Sequence, residues 1–241
     1  MPPVVHESCA LVIIGAGYQG LNALNAAAKY LPKGSTVVII DEGKGWGGQW
    51  VDQYSYVRLH QPHVAYTAGE RDWSITASKG EGYLAEKNEI LQHFSDIVKS
   101  VIAESEIKVI QLFGYSYDSH QTSTVSSTAS SDSASGGQKR VVQLTARPLL
   151  PGCLPVVVSA ARMIKALGAQ ILKKSSFDFN TGRVHSLCAG DIDQADTNAR
   201  MLYSEDSDKP IWIVGSGKTA MDAMMSLWRL GPSVRGRVRC I

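Results

Sequence analysis

The stretch Ala10-Leu11-Val12-Ile13-Ile14-Gly15-Ala16-Gly17-Tyr18-Gln19-Gly20 decides the fold. Its apolar half is a short buried strand, and the run breaks at glycine. Residues 20–31 then place Leu21, Leu24, Ala28 and Leu31 on one helical face before Pro32 and Gly34 close the helix. Thr36 to Ile40 is a second β-branched run, and it ends at Asp41. Strand, glycine turn, helix and strand make a βαβ unit, whose crossover sets the two strands parallel. The glycines fit G-x-G-x-x-G. Gly15 permits the tight turn, Gly17 lets the backbone approach a pyrophosphate, and Gly20 lets the helix pack against the strand. Residues Ala16, Tyr18 and Gln19 supply the backbone between them, and the helix N-terminus offers N–H groups to phosphate. Asp41 is the acid expected to accept ribose hydroxyls; Glu42 takes that place if the strand ends one residue later.

Outward from this unit, 41–50 is a glycine-rich loop and 51–73 is irregular, rich in Tyr, His and Gln. Residues 84–102 form an amphipathic helix with Ile90, Leu91, Phe94, Ile97, Val98, Val101 and Ile102 on its apolar face. Two strands, 108–113 and 140–146, are expected to form a hairpin. The Ser/Thr-rich tract 116–138 between them is read as a disordered insertion, because it has too little apolar surface to offset its ordering entropy. Residues 155–172 are apolar without a clear period. Near the end, 211–214 is a short strand, 218–230 a helix with Ala220, Met221, Met224, Met225 and Trp228 as its apolar face, and 234–241 the start of another strand.

The bulk properties narrow the function. The 241 residues suit one large or two small domains, and a net charge of +2 gives no electrostatic case for nucleic acid or an anionic membrane. The N-terminus lacks a basic segment, and no apolar run is long enough for a leader or a span, so a cytoplasmic location is expected. Cys9, Cys153, Cys188 and Cys240 have no metal-site or redox-pair spacing, and no metal site is expected. None of His6, His60, His63, His93, His120 or His185 is singled out as a catalytic acid or base.

A second glycine turn follows the strand at 211–214. Gly217-Lys218-Thr219 invites a nucleoside-triphosphate loop, but that motif requires glycine where Trp212 stands. Gly215, Gly217 and Ala220 instead fit G-x-G-x-x-A between a strand and a helix. Two dinucleotide units in one chain have a natural use: one holds FAD, the other NADPH or NADH to reduce it.

The order of pieces resembles the two-dinucleotide-fold flavoproteins, and among them the flavin-containing monooxygenase-like group. The resemblance rests on Gly15 to Gly20; on Asp41 followed by Gly47-Gly48-Gln49-Trp50; on Leu59-His60-Gln61-Pro62; and on the stretch from Val214 to Asp222. It implies an α/β chain: a Rossmann-like FAD-binding domain with a parallel sheet over 1–203, then the start of a second Rossmann-like NAD(P)-binding unit over 204–241. Gly15, Gly17 and Gly20 would bind the FAD pyrophosphate and Asp41 the ribose. Gly48, Gln49 and Trp50 would lie along the flavin, and His60 and Gln61 would approach its ring. Gly215, Ser216, Gly217, Lys218 and Thr219 would line the NADPH pyrophosphate. The implied activity is FAD-dependent oxidation, monooxygenase-like, of a small organic substrate with NADPH as reductant.

The sequence departs from the group in three respects. Its F-x-G-x-x-x-H-x-x-x-[YFW] fingerprint has no match, its Ala-Thr-Gly strand end is replaced by Lys165-Ala166-Leu167-Gly168, and its members continue well past the second fingerprint. A truncated, non-catalytic FAD-binding relative therefore stands beside the enzyme reading, and a simple NAD-dependent dehydrogenase stands behind both. Substrate, type of oxidation and oligomeric state are left open by the sequence.

Overall fold

The computed structural model describes residues 5–69, 71–126, 138–168, 175–180, 184–193 and 208–241. By internal contacts the chain divides into two units. The first is Met1–Val51, Thr67–Arg71 and Leu91–Ala169; the second is Asp52–Tyr66, Asp72–Ile90 and Gln170–Ile241. The expected domain boundary at 203/204 lies outside the described residues.

The first unit is built on β1 (Val5–Ile14), α1 (Tyr18–Tyr30) and β2 (Thr36–Asp41). Leu11 to Ile14 pair with Val37 to Ile40 in parallel. All eight residues are at most 6% exposed, as expected of strands covered on both faces rather than one. Next in the chain come α3 (Lys87–Glu104), β3 (Lys108–Phe113), β4 (Tyr115–Ser126), β5 (Gln138–Pro148) and β6 (Val156–Lys165). The preceding α2 (Thr76–Lys79) is one turn. The six strands run in the order β3-β2-β1-β6-β5-β4. β3, β2, β1 and β6 are parallel, while β5 is antiparallel to β6 and to β4.

β3 and β4 stand at opposite ends of that order, yet only Gly114 separates them in sequence. The sheet must therefore curl until its edges meet. The core bears this out: Val12, Ile14, Val38 and Ile40 share a cluster with Leu144, Ala146, Val156, Val158 and Ala160, so the antiparallel half folds over one face of the parallel half. The opposite face, with Leu11, Ile13, Val37 and Ile39, is where α1 lies: a Cβ on Gly20 would sit 3.7 Å from Ile13 Cγ2. Leu21, Leu24 and Ala27 of α1, and Phe94, Ile97, Val98 and Val101 of α3, are buried.

Two expectations are corrected here. Residues 108–113 and 140–146 are both strands, but they do not form a hairpin; β3 pairs with β2, and the hairpin is β4 with β5. Residues 116–126, expected to be disordered, are strand; 127–137 lie outside the described residues. An edge strand needs backbone pairing more than a buried side chain. The tract's Thr122, Thr124 and Val125 are β-branched, and they pair with Val142, Arg140 and Lys139. The stretch 155–172, without a clear period, supplies β6 beside β1, and 169–172 lie outside the described residues.

The second unit contains a parallel pair, β7 (Ile211–Ile213) and β8 (Val238–Cys240), with α4 (Lys218–Trp228) and the single turn α5 (Pro232–Arg235). The final stretch expected as strand is thus a helical turn followed by a shorter strand. The buried face of α4 is also corrected. Asp222, Ala223 and Leu227 are buried, whereas Met221, Met225 and Trp228 are 54%, 48% and 44% exposed. Apolar residues surround this helix, so their period does not choose a face; Leu227 packs with Val234, Ile211, Ile213 and Val238.

Candidate functional site

The two glycine turns are built alike. Gly15 has φ +107° and Gly215 φ +126°, values that L side chains rarely adopt. Gly15 N–H donates to Ile40 C=O at 2.8 Å, and Gly215 N–H donates to Ile241 C=O at 2.9 Å. Helix α1 starts with Leu21 N–H bonded to Gly17 C=O, and α4 starts with Met221 N–H bonded to Gly217 C=O. Neither Gly17 nor Gly217 caps its helix with a side chain. Each helix N-terminus thus keeps the polarity that favours an anion.

The first turn is tightly enclosed. A Cβ on Gly15 would lie 2.3 Å from Ala166 C=O, and one on Gly20 would lie 1.9 Å from Gly15 C=O. Ala166 also donates its N–H to Ile14 C=O at 2.7 Å, which places the Lys165–Gly168 stretch directly against the turn. Over the other side runs the second glycine-rich loop. Gly47 N–H donates to Ala16 C=O at 3.0 Å, and a Cβ on Gly48, whose φ is +52°, would lie 2.7 Å from Gly17 Cα. Gly48, Gln49 and Trp50 form a short 3-10 turn with Gln49 exposed and Trp50 buried.

Asp41 closes the construction. Its Oδ2 accepts the Ala16 N–H and its Oδ1 the Gly43 N–H, both at 2.6 Å. β2 ends at Asp41, so this acid meets the glycine turn; Glu42 is exposed and accepts from Ser116 Oγ at 2.7 Å. Tyr18 donates its hydroxyl to Thr67 C=O at 2.7 Å and stacks on Phe94, while Gln19 is exposed.

The second turn is open by comparison: a Cβ on Gly215 or Gly217 would meet nothing within 4 Å. Ser216 is exposed, and Thr219 Oγ1 accepts from the Tyr54 hydroxyl at 3.1 Å. The Lys218 ammonium is turned onto the Asp222 carboxylate, four residues on, and lies 3.5 Å from Arg58 C=O. Arg237 and Arg239, near the last strand, donate to backbone carbonyls, and neither occupies the position equivalent to Asp41.

His60 and Gln61 are exposed and belong to the second unit, whereas Gly15 to Trp50 belong to the first. The buried histidine of this stretch is His63, whose Nδ1 bonds Tyr83 C=O and whose Nε2 bonds Thr76 Oγ1, each at 2.9 Å. Nearby, Tyr83 has its phenol raised above the ordinary range, chiefly by burial and then by its hydrogen bond to Glu89. Tyr54 and Arg58 join the second turn from a part of the sequence that gave no sign of it, whereas Ala166 stands in the stretch at the group's missing strand end and Asp222 closes the stretch that resembles its second fingerprint. The Lys218–Asp222 spacing is also that of a helical ion pair.

No family model and no curated protein matches the sequence. Solved structures do match. The polycyclic ketone monooxygenase from the thermophilic fungus Thermothelomyces thermophila is 17% identical over 95% of this chain and 35% of its own, with a TM-score of 0.53. An open crystal structure of cyclohexanone monooxygenase is 19% identical over 97% and 38%, with a TM-score of 0.53. The chain has the fold of these monooxygenases. That fold also covers the cyclohexanone monooxygenase of Rhodococcus sp. Phi1 bound to NADP+, at 18% identity over 96% and 37% with a TM-score of 0.50. The chain spans 35–38% of the length of these proteins. Among the described residues, no helix of the monooxygenase-fold chain is long and apolar enough to cross a membrane.

Proposed function

We propose that the chain binds FAD at the first glycine turn and NADPH at the second, and acts as a monooxygenase-like FAD-dependent oxidoreductase on a small organic substrate. The observation that carries this reading is the pair of equivalent strand–glycine–helix turns, each anchored by the first glycine's N–H on a neighbouring carbonyl. The fold shared with two ketone monooxygenases and with an NADP+-bound one supports it.

The first turn suits FAD on its own geometry. Gly17 presents a bare backbone, and the uncapped N-terminus of α1 attracts the pyrophosphate. The Asp41 carboxylate is fixed by two backbone N–H groups and has further lone pairs for two ribose hydroxyls. Gly48, Gln49 and Trp50 would lie along the flavin. The backbone of Gly215 to Thr219 would hold the NADPH pyrophosphate. Bound flavin would supply redox chemistry in which NADPH gives up two electrons and the substrate two more, and dioxygen takes all four, one oxygen atom ending in the product and the other in water.

A second reading is an FAD-binding relative that does not turn over; the Lys218 ammonium of the second turn, paired with Asp222 instead of turned towards a phosphate, favours it. Mixing the FAD-loaded chain with NADPH under anaerobic conditions separates the two. Bleaching of the visible flavin band supports the oxidoreductase, persistent colour with FAD bound supports the binder, and failure to hold FAD refutes both.

A further inference from the structure

We infer that Lys218 is a positioning residue: held by Asp222, its ammonium fixes the Arg58 carbonyl and, with Thr219, latches the stretch 52–61 onto the second glycine turn. The inference rests on the reading of that turn as the nicotinamide-dinucleotide site. A lysine next to Gly217 is placed by sequence to meet a phosphate as a free cation. It is not free. Lys218 is 20% exposed, and it pairs with an Asp222 carboxylate that is 7% exposed. The other carboxylate oxygen, Oδ2, has no hydrogen-bond partner among the described residues, so the charge of Asp222 is balanced through Lys218. Removing the ammonium would leave a buried, uncompensated carboxylate, which locks the pair in place.

The same first turn of α4 reaches the stretch 52–61 through two consecutive side chains. Lys218 Nζ lies 3.5 Å from Arg58 C=O, a long contact, and Thr219 Oγ1 takes the Tyr54 hydroxyl at 3.1 Å. On its other side the stretch is held by residues 84–87. Leu59 N–H donates to Ala85 C=O at 2.9 Å, Lys87 N–H donates to Val57 C=O at 3.2 Å, and the Arg58 guanidinium pairs with Glu86. Tyr54 and Tyr56 stack with centroids 4.4 Å apart, and Tyr56 donates to Ala189 C=O at 2.6 Å. The stretch is also the direct continuation of Gly48-Gln49-Trp50 and carries the exposed His60 and Gln61. A dinucleotide seated on the amides of Lys218 and Thr219 immobilises the residues that hold this stretch. Occupancy of the second turn is thereby read by this stretch.

Amide hydrogen exchange on the full chain tests the latch. Without ligand, Lys218→Met should speed exchange at residues 53–61 by about tenfold, leave β1 and β2 unchanged, and be rescued by Lys218→Arg. Tyr54→Phe, which removes only one hydroxyl, should speed the same amides by a few fold and decides the question if Lys218→Met does not fold. Unchanged exchange at 53–61 in the folded variants overturns the inference. In the native chain NADP+ should slow exchange at 53–61, and Tyr54→Phe should lessen that slowing while still binding NADP+. Binding of NADP+ without slowing overturns the latch. Failure of the native chain to bind NADP+ overturns the nucleotide reading instead, and the ligand-free comparison still decides whether Lys218 holds the stretch.

Discussion

Replacing Gly48 by alanine separates two demands made on one residue. Its φ of +52° costs an alanine about 1–2 kcal/mol. The new Cβ would also sit 2.7 Å from Gly17 Cα and 3.4 Å from Gly17 N. Carbon atoms pack comfortably at about 3.5–4.0 Å, and both partners are backbone, so the two glycine loops must move apart by nearly 1 Å. Overpacking of this kind costs about 1–3 kcal/mol, for a total on the order of 2–5 kcal/mol. Gly34 is the matched control. Its φ is +76°, but its Cβ would meet nothing within 4 Å, so only the backbone cost applies. For a chain of this size about 1 kcal/mol lowers Tm by about 2–4 °C. Gly34→Ala should therefore lose a few degrees, and Gly48→Ala on the order of 10 °C. If the paired loops form the FAD cradle, Gly48→Ala should also weaken FAD binding at least about tenfold, equivalent to ~1.4 kcal/mol, with Gly34→Ala unchanged. Circular-dichroism melting and flavin-fluorescence titration read the two effects. Equal Tm losses for the two variants would refute the close-approach argument, and native FAD affinity in Gly48→Ala would refute the cradle.

Asp41→Asn keeps an acceptor for only one of the two N–H groups and removes the charge from both bonds, so urea unfolding should show a loss of about 1.5–3 kcal/mol together with weaker FAD binding. Gly20→Ala places a Cβ 1.9 Å from Gly15 C=O and should abolish soluble folded protein, whereas Gly217→Ala meets nothing within 4 Å and should fold normally but bind NADP+ more weakly. Burial pushes the Cys9 thiol up to about 11, while Cys153 and Cys240 are exposed; thiol titration at pH 8 should label the latter two quickly and Cys9 only after unfolding. Because the folded state keeps the Cys9 proton longer than the unfolded chain, its contribution to stability is present below pH 9 and is lost as pH rises towards 11.

The glycine turns were legible because their geometry is local. Gly15, Gly17 and Gly20 meet constraints within one strand and one helix, and β2 ends at Asp41 where its β-branched run ends. What binds the turn to the rest of the fold was not legible, since Ala166 and Gly47 reach it from distant parts of the chain. β4 escaped notice because a Ser/Thr tract lacks the apolar alternation that marks a strand, and its pairing with β5 is mostly main-chain. The curl of the sheet follows from Gly114 alone separating β3 and β4, a fact that needs the strand order to become visible. In α4, apolar residues on every side hid which face is buried, and the Lys218–Asp222 pair was visible only as a spacing. His60 was favoured over His63 by its place in Leu59-His60-Gln61-Pro62, although His63 is the one fixed in the interior by two hydrogen bonds.

The most direct test is a fluorescence titration of the purified, folded native chain with FAD. Saturation at one FAD per chain, with quenching of the bound flavin, is the predicted result. A chain that melts cooperatively yet leaves FAD free at every concentration tried would contradict the assignment of the first glycine turn.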